Sequence, residues 1–398
     1  MPATFLTGAT GFIGAEVLRR LLRTEPDRQV HALVRAADAA EATRRGREVL
    51  FRLFFDDQAA TADAQRRIHW VIGDLTADGL GLAPADRERI VAECDELIHG
   101  AASTEWTLPL EEAEAVNVAG VKAIAALAAD AARRPGAVRL VHISTAYVAG
   151  RRDGRILPTE LPGPAGPFNN TYEQTKAMAE RYLRERMGEI PVTIVRPSIV
   201  VGDSATGRTF NFNVIYFPIK LLHRGVLPVV PGRKTTRLDI VPVDYVSDAL
   251  LALGRDPGAV GRTFHLTADE DAMPLETVLD RVFAVFEERR ASLLRAGGPA
   301  PEPRRPRVVG RMTWGVLRRA WRLTLRGQTL RRFGMFETYL PYVFTDKRFV
   351  AEETREALRD RVRYPPVASY VARVTEYAIT REWGRRVSWD AARMKEVV

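Results

Sequence analysis

Thr7-Gly8-Ala9-Thr10-Gly11-Phe12-Ile13-Gly14 directly follows the apolar run Thr4-Phe5-Leu6 and opens a helical pattern that reaches Leu22. Glycines at 8, 11 and 14 permit a tight turn, a close backbone approach to a pyrophosphate and close packing of helix on strand. A helix that starts here offers free N–H groups and the positive end of its dipole to phosphates. Strand, glycine turn and helix together predict a dinucleotide site built from Gly8, Thr10, Gly11, Phe12, Ile13 and Gly14.

Short apolar runs continue to alternate with helical patterns beyond this turn. Residues 30–34, 69–72, 96–99, 140–143 and 192–195 read as further strands, with helical stretches such as 113–132 between them. That rhythm predicts an α/β fold with a Rossmann-type, doubly wound parallel sheet.

The residue ending the second strand separates the two nicotinamide dinucleotides. Folds that prefer NAD place a carboxylate there, to hold the ribose 2′-hydroxyl. Here Arg35 stands 21 positions after Gly14, and the next carboxylate is Asp38. A guanidinium forks around a 2′-phosphate and stacks on adenine, so Arg35 argues for NADPH. The plainer alternative, a solvated surface arginine, is common in a chain with 53 arginines. Asp74 and Leu75, after the third strand, are placed toward the adenine edge, and Ala101, after the fourth, toward the nicotinamide.

Tyr172-Glu173-Gln174-Thr175-Lys176 sets a tyrosine and a lysine on one face of a helix. A free tyrosine, with a pKa of about 10, is a poor acid–base group at neutral pH. A neighbouring ammonium lowers that value, and Lys176 can also hold the nicotinamide ribose. Ser144-Thr145 ends the strand at 140–143, on the carboxyl edge where ligands bind in such sheets. A hydroxyl at that edge donates to a substrate carbonyl and steadies an oxyanion. Thr145, 27 residues before Tyr172, is the catalytic candidate, and Ser144 a packing or capping neighbour.

Composition narrows the classes further. A chain of 398 residues accommodates one large α/β domain and a smaller unit. Its single cysteine, Cys94, excludes an internal disulfide and a thiolate metal cage, and no metal site is expected. With no signal-peptide pattern and no run of apolar residues long enough to span a bilayer, a cytoplasmic setting is expected. The net charge of +9 is uneven: residues 1–302 hold 37 Lys/Arg and 40 Asp/Glu, whereas 303–398 hold 22 and 10. The basic excess therefore belongs to the tail, which suits acidic partners.

Taken in order, Thr-Gly-Ala-Thr-Gly-Phe-Ile-Gly (7–14), His-Gly-Ala-Ala-Ser (99–103), Asn-Val-Ala-Gly (117–120), Ser-Thr-Ala-Tyr-Val-Ala-Gly (144–150), Tyr-Glu-Gln-Thr-Lys (172–176), Val-Arg-Pro-Ser (195–198) and Ile-Val-Pro-Val-Asp-Tyr-Val (240–246) form a set. Over residues 3–270 this set resembles the extended short-chain dehydrogenases, in the thioester-reductase and fatty acyl-CoA reductase branch with its male-sterility-type NAD-binding domain. The resemblance implies hydride transfer from NADPH to an acyl thioester, giving an aldehyde and, with a second hydride, an alcohol. It implies that Thr145 binds the carbonyl oxygen, Tyr172 protonates it and Lys176 orients the cofactor, with Pro197 also lining the cofactor site. It further implies a supporting part for Asn117, in a water relay to Lys176; satisfying a helix kink is the alternative.

The expected domain plan is a Rossmann domain over 1–296, with substrate-lobe segments at about 203–240 and 262–296. A Pro/Gly linker at 297–306 and a basic, mostly helical region at 307–398 follow. The aromatic stretch from Phe210 to Pro218 suits either an acyl pocket or a core. Trp314, Leu317, Trp321 and Leu325 recur at helical spacing among arginines within 307–333. Such a helix either covers the substrate lobe, receives coenzyme A or an acyl carrier protein, or lies on an anionic membrane surface. Nucleic acid is not expected, because no reading module accompanies the charge. Competing functions on the same fold are an aldehyde or ketone reductase, a sugar-nucleotide epimerase or dehydratase, and a non-catalytic NADPH-binding regulator.

Overall fold

A computed structural model describes residues 2–54, 57–134, 138–163, 166–212, 214–300, 302–324 and 337–387. Its centre is a seven-stranded sheet made of β1 (Ala3–Thr7), β2 (Gln29–Val34), β3 (Ile68–Ile72), β4 (Glu96–His99), β5 (Arg139–Ile143), β7 (Val192–Pro197) and β12 (Thr263–Leu266). The order is β12-β7-β5-β4-β1-β2-β3, and every pairing is parallel. β1, β4 and β7 are buried along their whole length, the signature of strands covered on both faces.

Alternation along each strand feeds two cores. Leu6, Ile98, Val141 and Val195 pack on helices α1 (Phe12–Thr24), α2 (Ala39–Phe54) and α9 (Val243–Gly254). Phe5, Leu97, Leu140 and Ile194 pack on α4 (Pro84–Glu93), α6 (Ala119–Ala132) and α7 (Thr171–Arg184). Between these helices in sequence lie α3 (Gln58–Arg67) and α5 (Leu110–Asn117). The stretch Leu110–Ala132 is the one segment among the described residues long and apolar enough to cross a membrane, and half of it is buried in this core.

A third core forms the lobe over the carboxyl edge of the sheet. It joins α8 (Tyr216–His223) and α10 (Leu275–Arg295) to Trp314, Phe344, Tyr370 and Val374. Short strand pairs stitch it together: β8 (Ile199–Val201) with β11 (Ile240–Pro242), and β10 (Arg237–Leu238) with β13 (Met273–Pro274). Two more pairs bring in the end of the chain, β14 (Arg307–Val309) with β9 (Val229–Pro231) and β15 (Lys347–Phe349) with β6 (Gly154–Ile156).

Two expected boundaries differ from this arrangement. Residues 263–266, assigned to the lobe from sequence, are the outermost strand of the main sheet, and lobe residues resume at β13. Residues 307–309 form a strand where a helix was expected, and the helix, α11, runs Arg311–Thr324. The continuation expected to 333 lies outside the described residues, as do Leu325 and Arg326. The 297–306 stretch carries no helix or strand among its described residues.

Candidate active site

The glycine turn has the shape its residues suggested. Gly8 sits at φ +83°, and a Cβ there would lie 2.7 Å from Ala101 N. A Cβ on Gly14 would collide with the Gly8 carbonyl, so the third glycine lets α1 pack onto the turn. Gly11 N donates to Gly8 O at 2.9 Å, and Gly11 caps α1 without a side chain over the helix end. Phe12, Ile13 and Gly14 form the first turn of α1, where a helix leaves its N–H groups without intrahelical partners, and this donor set fits a pyrophosphate. Thr10 belongs to the same turn, and the Phe12 ring meets Phe210 edge-on at 5.5 Å.

Arg35 is exposed at the end of β2. Arg45, a residue the sequence reading did not single out, reaches from α2 to the Arg35 carbonyl. Asp74 accepts from Thr76 N at 2.9 Å and Thr76 Oγ1 at 2.8 Å, and these bonds hold its carboxyl below the usual range. Leu75 packs against Gly120 on α6, where an added Cβ would come within 3.2 Å of it. Ala101 is tied to β1 by its N–H, which donates to Thr7 Oγ1 at 3.2 Å.

Thr145, Tyr172, Lys176 and Pro197 converge at the carboxyl edge. Thr145 Oγ1 accepts from Tyr147 N at 3.3 Å and donates to Pro197 O at 3.5 Å. Burial pushes the Tyr172 phenol up to about 12, partly offset by a hydrogen bond with Thr145. Lys176 Nζ donates to Ile143 O at 2.7 Å, and burial lowers its pKa to about 8 against the opposing pull of Glu180. The expected lowering of Tyr172 by Lys176 therefore does not appear in this geometry: the ammonium is turned to the end of β5, and desolvation of the phenol dominates.

Two histidines lie near that ammonium, His99 on β4 and His142 on β5, with rings stacked 5.4 Å apart. Burial first, and Lys176 second, lowers both, His99 to about 3. They are neutral at physiological pH and add no positive charge beside Lys176.

Behind the carboxyl edge, Ser144 Oγ donates to Glu180 at 2.8 Å, and Glu180 pairs with Arg196 at 2.6 Å, both of the pair fully buried. Ser144 belongs to this network and not to the cavity wall. Asn117 ends α5 at the break before α6. Its side chain accepts from Ser103 N at 2.8 Å and donates to Ser103 O at 3.1 Å and Thr175 Oγ1 at 3.0 Å. It clamps the loop after β4 onto α7.

A cavity of about 420 Å³ opens from Thr145 and Tyr172 into the lobe. Aliphatic side chains of α8, β9 and α10 line it, among them Ile219, Leu222, Val230, Val278 and Val282. Asn211, Ile215 and Pro218 of the aromatic-rich stretch line it, whereas Phe212, Tyr216 and Phe217 pack in or against the lobe core, so the stretch serves both of the roles the sequence left open. Asn213, in the same stretch, lies outside the described residues. Trp106, Tyr339, Leu340, Tyr342 and Val343 also form the wall, and the sequence reading gave them no role.

On α11, Trp314 is buried and meets Trp321 edge-on at 5.7 Å, so the tryptophan stripe covers the lobe core. The solvent side carries Met312, Val316 and Leu323 instead. Among the described residues no group of His, Cys, Asp or Glu is placed to hold a metal ion.

Residues 6–250 match the family described as Male sterility protein, an NAD-binding domain. The chain is 30% identical over 280 residues to "Fatty acyl-CoA reductase wat" of Drosophila melanogaster, covering 63% of this chain and 54% of that protein. It is 30% identical over 302 residues to a linear gramicidin synthase protein of Brevibacillus parabrevis, covering 74% of this chain and 6% of the synthase protein. Thus it spans about half of the fly protein and a small part of the synthase protein. Among solved structures it is similar to the terminal R domain from the myxalamid PKS-NRPS pathway, with a TM-score of 0.77, 28% identity, and 96% and 92% of the two chains covered. The chain belongs to the Male sterility protein family, an NAD-binding family of oxidoreductases in the thioester-reductase and fatty acyl-CoA reductase branch of the extended short-chain dehydrogenases.

Proposed function

We propose that this protein is an NADPH-dependent reductase of acyl thioesters, acting through Thr145, Tyr172 and Lys176. The observation that carries the reading is the aliphatic cavity of about 420 Å³ that ends on Thr145 and Tyr172. Such a cavity suits an acyl chain with its reacting carbonyl at the polar end. The thioester arrives on coenzyme A or on an acyl carrier protein, in keeping with the likeness to a fatty acyl-CoA reductase and to the terminal R domain of a PKS-NRPS pathway.

Gly8, Thr10, Gly11, Phe12, Ile13 and Gly14 hold the pyrophosphate, Arg35 the adenosine 2′-phosphate, and Asp74, Leu75, Ala101 and Pro197 the rest of the cofactor. When bound, NADPH supplies a hydride to the thioester carbon. Thr145 binds the carbonyl oxygen, and Tyr172 passes its proton to that oxygen as negative charge develops. Lys176 holds the nicotinamide ribose. Tyr172 then takes the proton back as the C–S bond breaks, and the released thiolate picks up a proton, leaving an aldehyde and a thiol.

The test is NADPH oxidation by the purified protein with acyl-CoAs, acyl-carrier thioesters and matching aldehydes, with products identified by mass spectrometry. Oxidation with a thioester and release of free thiol is the expected result. Oxidation with aldehydes alone would make the protein a carbonyl reductase. For the cofactor, Arg35→Asp is expected to weaken NADPH by about tenfold or more through lost charge-assisted bonds, with NADH changed little. Titration of each dinucleotide by calorimetry checks this, and equal affinities before and after would return Arg35 to the solvated surface.

A further inference from the structure

We propose that Tyr342 is a positioning residue for Tyr172, acting through Glu173 at the first turn of the catalytic helix. The proposal rests on the reductase reading above.

The start of α7 is closed by two reciprocal bonds. Asn170, its N-cap, accepts from Glu173 N at 2.9 Å, and the Glu173 carboxylate reaches back to Asn169 N at 2.9 Å. This is the logic of a capping box, and Tyr172 lies between the two capping side chains. Tyr342 clasps both of them. Its hydroxyl donates to Glu173 Oε1 at 2.6 Å and accepts from Asn170 Nδ2 at 2.8 Å.

Glu173 is fully buried, and neutral groups answer its carboxylate: the Tyr342 hydroxyl and the main-chain and side-chain N–H groups of Asn169. A buried carboxylate needs each such donor, and losing one costs more than an ordinary surface hydrogen bond. Burial and the Glu173 charge both raise the Tyr342 phenol, which keeps it a donor.

The Tyr342 ring reaches the other segments that build the site. It meets Trp106, on the loop after β4, at 5.2 Å, and Tyr147, on the turn that follows Thr145, edge-on at 5.2 Å. Thr171, the first residue of α7, donates to Leu108 O at 2.9 Å, so that loop and the helix start move together. One side chain therefore touches the turn bearing Thr145, the helix bearing Tyr172 and the loop that continues from Ala101. It also lines the acyl cavity. Displacement of a reacting group by about 1 Å costs on the order of 100-fold in rate, so a clasp at this point acts on turnover.

Tyr342→Phe keeps the ring in the wall and removes only the hydroxyl. The expected result is a fall in kcat of about tenfold, with KM and NADPH affinity held within about twofold. In a Glu173→Gln background the clasp is already altered, and adding Tyr342→Phe should lower kcat by less than about twofold more. Hydrogen exchange read on the peptide covering 170–176 should be about tenfold faster in Tyr342→Phe, a readout independent of substrate. An unchanged kcat, a loss confined to KM, equal losses in both backgrounds, or unchanged exchange would each overturn the proposal. A wild-type protein inert toward thioesters and aldehydes would instead sink the reductase reading, and the exchange measurement would still decide the clasp.

Discussion

Tyr172→Phe is expected to lower turnover by about 1,000-fold while leaving dinucleotide affinity intact, the range for loss of a positioned general acid. The asymmetry follows from the placement of the phenol. Tyr172 lines the lobe cavity and hydrogen-bonds with Thr145, whereas Gly8, Gly11 and Gly14 lie at the turn from β1 into α1 and none of them lines that cavity. Burial pushes its pKa up to about 12, so the phenol is protonated near neutral pH and available as a donor. Single-turnover oxidation of NADPH, paired with cofactor titration, separates the two quantities. Turnover within about tenfold of the parent would remove Tyr172 from the mechanism.

The second large effect concerns stability. Arg196→Met is expected to cost about 3 kcal/mol, because it removes the fully buried partner of the Glu180 carboxylate and leaves it only Arg184 and Ser144. Glu180 and Arg196 are both fully buried. Burial alone would raise the Glu180 carboxyl, but the charge and hydrogen bonds of Arg196, then Arg184 and Ser144, outweigh it and hold the carboxyl below its usual value. The sign follows from linkage: a depressed folded pKa gives stability that is present above the unfolded value of about 4.3 and lost as pH falls through the folded one. The gap between parent and variant should therefore be widest near neutral pH and shrink in acid. Urea unfolding at about pH 7 and about pH 3 reads both, and a gap below about 1 kcal/mol at neutral pH would mean that the network contributes little.

The parts of this molecule legible in its sequence are those whose partners are close in the chain. The glycine turn needs only eight consecutive residues. Tyr172 and Lys176 share a helix face because four positions make about one turn. Thr145 could be placed because a strand announces its own carboxyl end. By contrast, Thr263–Leu266 is four fully buried residues with no alternation to mark it as a sheet strand. The three-residue strands Arg307–Val309 and Lys347–Phe349 carry charge and pair with segments far away in the chain, so nothing local identifies them. Arg45 is one arginine among 53 and gains meaning only when α2 swings it against Arg35. The stripe of Trp314 and Trp321 showed that α11 has an apolar face, but an amphipathic pattern does not say what that face meets. Tyr342 acts on Glu173 from 169 positions away, a distance no periodicity spans.

That separation bears on the order in which the molecule can be assembled. Strands β1 to β5 and β7 pair across shorter separations, the longest being that of β1 with β4, where Thr4 and Glu96 are 92 positions apart. The cavity wall waits on contacts of greater reach, such as Tyr342 Oη to Glu173 Oε1 across 169 positions. Long-range closures are entropically later events in folding than local ones. Completion of the lobe cavity therefore depends on closures of longer reach than those that form the sheet bearing the glycine turn.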